Sequence, residues 1–346
     1  MSMNEAVWQE RHLIAQALHA AIIHGMLDTW SRCGRMDTSP QEPDFVAGLV
    51  LESCPLVHAA LSSILADYGI RSSLLGVYCH QTPKVTYQGI AGSSCELGDL
   101  LVAHVHASAT GHVRRNALLY QAKVSSAQPY RLPIRDKVQL RLYAEWPDFE
   151  YYNSPPLTGQ RRHVTPKMVH AGAQYMLIDD RPPTHPRSGL LGLRGTYPIG
   201  SCMPDDVLRD HNHLAGELLE FLLVRSGRPF EDRNSSSRAS DWSRVVWDLL
   251  EAGVRKSFNR KLSGRRQDPR VAGDPALSDG LCFASTTSPE VCSTVADILG
   301  SRRATGVLFA EGSGVPPETP RIRDEPEAPE GGVSLLLLET SERREG

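Results

Sequence analysis

The chain has 346 residues, of which 40% are hydrophobic and 22% charged, a composition typical of a globular protein and not of a disordered one. Its formal net charge of -3 excludes a global attraction to nucleic acid, so any contact with a polyanion has to come from local basic clusters. The seven cysteines form no CxxC pair, which disfavours a zinc knuckle and favours a cytoplasmic protein. We predict neither a signal peptide nor a membrane-spanning segment.

The N-terminal part of the chain has helical periodicity. Apolar residues at helical spacing predict an amphipathic helix over residues 4–32, within an N-terminal segment 1–39. A second helical region is predicted to run to about Tyr68, after the turn-rich residues 38–43. Pro55 suits the first turn of a new helix better than a helix interior, so we predict a kink or break near Ser53.

The residues that follow have the pattern of β-strands. We predict a three-stranded meander over residues 73–79, 97–106 and 117–124, because these runs are separated by turns rich in Gly, Ser and Thr. A helix over 135–145, a short extended piece over 149–152 and a buried strand over 173–178 follow. The resulting order is helix, three strands, helix, strand.

The C-terminal half begins with a Pro- and Gly-rich stretch over residues 182–204, which indicates a loop or subdomain boundary. Two helices, 205–226 and 240–260, are predicted next, followed by strands over 280–285, 306–310 and 333–339. We interpret residues 40–182 as a core and residues 183–346 as a C-terminal α/β elaboration of the same domain.

Three polar residues interrupt the predicted strands. Successive side chains of a strand alternate between its faces, so Gln121 and Lys123 point to the same side. A lysine in an otherwise apolar strand requires a carboxylate, a phosphate or a metal-bound water nearby, since a buried unpaired ammonium is costly. Asp99 lies at the start of the preceding predicted strand, and two adjacent strands can bring these groups together.

The pattern of Asp99 and Gln121-x-Lys123 resembles the PD-(D/E)xK, or restriction-endonuclease-like, nuclease superfamily, in the variant that carries Gln in place of the second acid. The similarity covers residues 40–180 and departs from the family where Gly98 replaces its proline. It implies a mixed β-sheet flanked by helices, and an endonuclease that uses Mg²⁺ or Mn²⁺ to hydrolyse phosphodiester bonds. It also implies DNA as the substrate and bacterial antiphage defence or restriction as the setting.

The same resemblance implies roles for individual residues. Asp99, the side chain of Gln121 and the carbonyl of Ala122 would hold the metal, because Mg²⁺ prefers hard oxygen ligands. Lys123 would orient the attacking water or stabilise charge. An acid from the preceding helix often joins such sites, and we nominate Glu42 first and Glu52 second, with Glu96 as a further contributor.

A basic run near the end of the second C-terminal helix is a candidate nucleic-acid surface. It comprises Arg255, Lys256, Arg260, Lys261, Arg265 and Arg266. Smaller clusters occur at residues 114–115 and 161–163. A solvated helix end is an equally good interpretation of such runs.

Other interpretations stay open. Asp99 can simply end a turn and Lys123 can extend to solvent from an edge strand. The fold can also serve as a catalytically inactive binding or scaffold subunit among protein partners of a defence system, or as a homo-oligomer. A third hypothesis is a hydrolase or sensor whose residues 183–346 bind a regulatory ligand. Two His-x-His pairs, at 104–106 and 211–213, lack the spacing of a zinc site.

Overall fold

The computed structural model describes residues 1–35, 37–79, 83–89, 94–167, 172–182, 185, 197–235, 241–262, 280–285, 294, 298 and 333–343. Within these residues the protein has a mixed α/β fold, in which a large mixed sheet is flanked by helices on both faces.

The helices are α1 Met3–Gln9, α2 Arg11–Arg35, α3 Glu42–Ala47, α4 Ser53–Ala66, α5 Lys137–Glu145, α6 Leu214–Leu222 and α7 Asp241–Leu262. A π-helical turn, Gly48–Glu52, joins α3 to α4, and a 3₁₀ turn, Ile134–Asp136, precedes α5. Pro55 lies in the first turn of α4, but the chain stays helical from Glu42 to Ala66, so the π-helical turn stands where the sequence predicts a kink or break.

The strands up to α6 are β1 Ile70–Tyr78, β2 Lys84–Tyr87, β3 Cys95–Glu96, β4 Leu100–Ala107, β5 Val113–Val124, β6 Tyr130–Arg131, β7 Phe149–Tyr152, β8 Arg161–Arg162, β9 Ala173–Ile178, β10 Ile199–Cys202, β11 Val207–Leu208 and β12 Asp210–His213. After α6 come β13 Arg228–Pro229, β14 Gly280–Ser285 and β15 Ser334–Glu342.

Nine of the described strands form one sheet in the order β12-β10-β9-β5-β4-β15-β1-β14, with β13 paired to β5. Strands β4 and β5 are antiparallel, with Leu100 opposite Tyr120, whereas β15 runs parallel to β4 with Ser334 opposite Leu100. A separate small sheet, β3-β2-β7-β8, carries Glu96.

The predicted three-stranded meander is wrong, because β15 lies between β1 and β4. Its run Ser334–Glu342 is buried over most of its length, as expected of a central strand that is covered on both faces. The C-terminal end of the chain therefore completes the middle of the sheet. Local strand signals could not reveal this insertion, since it depends on a pairing between distant segments.

Several other boundaries differ from the sequence prediction. The predicted helix over 4–32 is divided in two, with Glu10 at the end of α1. The predicted helix over 205–226 is wrong in its first half, where two short strands precede α6. The second strand begins at Leu100 and leaves Asp99 just outside it. The predicted strand over 306–310 lies outside the described residues, whereas the predictions of α5, β7 and β9 are confirmed.

Two hydrophobic cores lie on opposite faces of the sheet. The first contains Tyr143 of α5, Trp146 directly after α5, and Trp242 of α7, packed against Leu119 and Tyr175 of the sheet. The second lies beneath α2, α4 and α6. Because Leu119 and Tyr175 face the first core, Gln121 and Lys123 project on that same face, beside α5.

The continuous helical run Glu42–Ala66 is long and apolar enough to cross a membrane, the one such helix among the described residues. Its apolar residues Phe45, Leu61 and Leu65 are fully buried in the second core. The helical run packs against α2 and β1, and 39% of its apolar window is buried within the described structure.

Candidate active site

The candidate site lies at the end of the central strands, where β5 ends and β4 and β15 begin. Asp99 is fixed there by its backbone, because its N–H donates to the carbonyl of Tyr120 over 2.8 Å and its carbonyl accepts the N–H of Ser334 over 3.0 Å. Ser334 in turn donates its hydroxyl to the carbonyl of Cys79 over 2.8 Å. Three strands therefore determine the position of one aspartate.

The carboxylate of Asp99 points towards β5. Its Oδ2 accepts the backbone N–H of Ala122 over 2.7 Å and a hydrogen bond from Nε2 of Gln121. Burial, followed by the negative charges of Glu96 and Glu42, raises the pKa of Asp99 to about 8. Asp99 is therefore a half-buried acid with two further acidic side chains, those of Glu96 and Glu42, close to it.

Gln121 connects Asp99 to helix α5. Its Oε1 accepts a hydrogen bond from Nε2 of Gln139, which also donates to the backbone carbonyl of Glu96 over 2.9 Å. The amide nitrogen of Gln121 faces both Asp99 and the carbonyl of Ala122, at 3.4 Å from the latter. In this orientation the amide nitrogen of Gln121 points to Asp99 and to the carbonyl of Ala122, the two other proposed metal ligands. The side-chain amide would have to rotate before its oxygen could bind a metal beside them.

Lys123 is enclosed rather than solvated, with 9% of its surface exposed. Its Nζ lies 3.4 Å from Oδ2 of Asp136 and 3.9 Å from Oε2 of Glu42. Burial opposes the charge of Lys123, but the carboxylates of Glu42, Asp136 and Asp99 outweigh it and raise its pKa. The amine therefore stays protonated at neutral pH, which makes it a fixed cation and not a base.

Glu42 and Glu52, the two nominated helix acids, lie in different places. Glu42 is in the first turn of α3, where burial raises its pKa although Lys123 and the backbone N–H of Val124 favour the charged form. Glu52 ends the π-helical turn, and in the described part of the chain it forms no ion pair with Lys123. The geometry thus brings Glu42, and not Glu52, to the amine.

Two residues of this site, Asp136 and Gln139, were not nominated from the sequence. Asp136 ends the 3₁₀ turn before α5, and Gln139 lies in the first turn of α5, a helix whose position the sequence predicted correctly. Gln139 is 7% exposed on the helix face that also buries Leu142 and Tyr143. A glutamine at helical spacing from two buried apolar residues was the signal that could have identified it.

Gly98, which stands where the resembling family has proline, is required by packing. A Cβ at this position would lie 2.7 Å from Cδ1 of Leu119 and 2.9 Å from the hydroxyl oxygen of Tyr143. That hydroxyl donates to the carbonyl of Leu97 over 2.8 Å, so it cannot move without losing a buried hydrogen bond. Any larger residue before Asp99 is therefore disfavoured here.

The structure describes the side chains of the smaller basic clusters but not those of the larger basic run. In the smaller clusters Arg115, Arg161, Arg162 and His163 are each paired with an acidic residue, and Arg162 binds Asp248 through both Nε and Nη2. Only the backbone is described for four residues of the larger run, Arg255, Lys256, Arg260 and Lys261, which lie in the last turns of α7. Arg265 and Arg266 lie outside the described residues.

The histidine pairs have structural partners. His104 and His106 are buried and share hydrogen bonds to the hydroxyl of Thr340, each over 2.9 Å. His213 caps α6 by accepting the N–H of Gly216, and His211 forms an ion pair with Glu217. Among the described residues, no group of three or more His, Cys, Asp or Glu side chains is arranged to hold a metal ion.

Comparisons with models of protein families, with curated proteins and with solved structures gave no match to this chain.

Proposed function

We propose that this protein is a metal-dependent endonuclease that hydrolyses phosphodiester bonds in DNA, with Asp99, Gln121, Lys123 and Glu42 at its centre. The observation that carries the proposal is the convergence of Asp99, directly before β4, and the enclosed amine of Lys123, on the neighbouring β5, at one end of these strands. A restriction-endonuclease-like core and a role in antiphage defence in the cytoplasm belong to the same proposal.

The chemistry of the donor set fits a divalent cation. Burial, and after it the charges of Glu96 and Glu42, raise the pKa of Asp99, and a divalent cation would favour its charged form. Asp99 and the carbonyl of Ala122 would hold Mg²⁺ or Mn²⁺, joined by the oxygen of Gln121 once its amide turns. Such an ion polarises a phosphoryl oxygen and lowers the pKa of a bound water.

The side chains around the ion would have separate tasks. Gln121 and the N–H of Ala122 orient the carboxylate of Asp99, and Gln139 holds the amide of Gln121 in turn. Lys123, kept protonated by Glu42 and Asp136, supplies positive charge for a phosphate oxygen on which negative charge builds up during hydrolysis. Its raised pKa excludes it from serving as the proton acceptor near neutral pH.

Basic residues elsewhere in the chain would supply the partner contacts of the proposal. The basic residues Arg255, Lys256, Arg260, Lys261, Arg265 and Arg266 would bind phosphates outside the site. Protein partners of a defence system and a homo-oligomeric state are compatible with this function.

The experiment is a cleavage assay on supercoiled plasmid with Mg²⁺, with Mn²⁺ and with EDTA. Wild-type protein should nick or cut the plasmid only with metal, and Asp99→Asn and Lys123→Met should each remove this activity. Lys167→Met is the matched control, because Lys167 is 46% exposed and pairs with Asp148 outside the site. Circular dichroism of every variant tests folding. Cleavage that persists in Asp99→Asn and Lys123→Met rejects the site.

One observation favours a second candidate, a catalytically inactive subunit that binds nucleic acid. Oδ2 of Asp99 already has two protein donors, and Gln121 presents nitrogen to it, so the network is hydrogen-bonded without a metal. This candidate predicts binding of DNA with no metal-dependent turnover in the same assay.

A further inference from the structure

A short cationic rim borders the candidate site. We define the rim as residues 131–137, with the sequence RLPIRDK, which run from the end of β6 through the 3₁₀ turn into α5. Its Asp136 contacts Lys123 at 3.4 Å, so the residues directly before Asp136 stand at the entrance of the site.

Two neighbouring side chains of the rim extend into solvent. Ile134 is 85% exposed, the highest value among the exposed large hydrophobic residues of the described chain. The side chain of Arg135 is 86% exposed. Ile134 belongs to neither of the two hydrophobic cores, and its side chain is available to a ligand next to that of Arg135.

The charge of the rim favours an anionic ligand. Lys123 and Arg135 contact opposite oxygens of Asp136, at 3.4 and 3.6 Å, and Glu42 lies 3.9 Å from Lys123, so two cations and two carboxylates balance here and the excess positive charge of the rim is that of Arg131. Lys137 pairs with Asp206, whereas Arg131 is exposed and forms no ion pair within the described residues. Phosphates that follow one another on a strand present charges at comparably short spacing.

We propose that the rim is a nucleic-acid contact that works beside the proposed nuclease centre, with Arg135 on a backbone phosphate next to the one at Lys123 and Ile134 inserted between neighbouring bases. This inference rests on the proposed function. Arginine binds phosphate through several directed N–H groups, and isoleucine is one of the apolar wedges that proteins insert into base steps. The substrate is then a duplex that is unstacked at the cleavage site. A single exposed apolar residue is too small for a protein interface.

The test measures binding and not cleavage, with Ca²⁺ in place of Mg²⁺ and a short DNA duplex that contains 2-aminopurine. Wild-type protein should raise the 2-aminopurine fluorescence on binding, because the base loses its stacking. Ile134→Ala should abolish this rise and weaken binding roughly tenfold without changing the salt dependence. Arg135→Ala should reduce the slope of log affinity against log salt by about 1.

Matched controls are Leu13→Ala on α2, where Leu13 is 54% exposed, and Arg161→Ala, whose side chain is 85% exposed and paired with Glu150. Both should bind and unstack the duplex as wild type does. A fluorescence rise that persists in Ile134→Ala, or an unchanged salt slope in Arg135→Ala, overturns the proposal. A duplex that is bound and unstacked by wild type but never cut with Mg²⁺ supports the rim and rejects the nuclease.

Discussion

The carboxylate of Asp136 lies 3.4 Å from Nζ of Lys123, closer than the carboxylate of Glu42 at 3.9 Å. The nearest partner of the proposed catalytic amine is therefore a residue from the turn before α5, and not the acid of the preceding helix. With carboxylates from two different elements around it, the amine has a defined position although it projects from a largely apolar strand.

Removing the nearer partner of Lys123 should destabilise the fold. Asp136→Asn leaves a buried ammonium with Glu42 as its remaining ion-pair partner, so we expect the free energy of unfolding to fall by about 1–3 kcal/mol, measured by urea denaturation. Asp206→Asn, which breaks the exposed pair with Lys137, should cost less than about 0.5 kcal/mol. Equal losses for the two variants would contradict the enclosed position of Lys123.

Asp99 should make stability depend on pH in a direction opposite to that of most acids. Burial and the charges of Glu96 and Glu42 raise its pKa from 3.8 to about 8, so the folded state prefers the neutral carboxyl. The stability that this preference contributes is complete below the unfolded value and is lost as the pH rises through about 8. In metal-free buffer above this pH, Asp99→Asn should be more stable than wild type by about 1–3 kcal/mol.

The change in melting temperature on adding metal is a second measurement that tests the role of Asp99. Mg²⁺ or Mn²⁺ should raise the melting temperature of wild type and leave that of Asp99→Asn unchanged, because a ligand stabilises only the state that binds it. The exposed Asp67 provides a control, since Asp67→Asn should respond to metal as wild type does. Identical pH profiles and identical metal responses for wild type and Asp99→Asn would show that the carboxyl is solvated.

Gly98→Ala should disturb the support of Asp99. The added Cβ would meet Leu119 and Tyr143 at distances below 3.0 Å, so we expect a loss of about 1–3 kcal/mol in thermal or urea unfolding. Gly34→Ala on α2 is the matched control, since its Cβ meets nothing within 4 Å and alanine favours a helix. If Gly98→Ala leaves the free energy of unfolding unchanged, Tyr143 moves freely.

Glu217 should dominate acid unfolding. Burial opposes its charge, but hydrogen bonds from His211, Ser226 and Gln174 outweigh burial and lower the pKa of Glu217 to about 2. The stability from this shift is complete above about pH 4.5, the ordinary value, and disappears as the pH falls to about 2.

Wild type should accordingly lose on the order of 2–3 kcal/mol from this group over that interval. Glu217→Gln should already lack this increment at neutral pH and show a flatter acid profile. Glu220→Gln, on the exposed side of the same helix, should keep the wild-type profile. Parallel profiles for Glu217→Gln and wild type would refute the assignment.

The sequence by itself determined the features that depend on local periodicity. Alternation along a strand put Gln121 and Lys123 on one face, helical spacing predicted α5, and Pro55 marked the first turn of α4. These features involve residues within one or two turns of each other, so the backbone geometry alone relates them.

Only the tertiary structure decided which groups surround Lys123 and Asp99. The insertion of β15 between β1 and β4, the approach of Asp136 and Gln139, and the space that excludes a Cβ at Gly98 all depend on surfaces from distant parts of the chain. Pairing and packing of this kind are selected by the fit of whole elements against each other, which no periodicity within a single segment encodes.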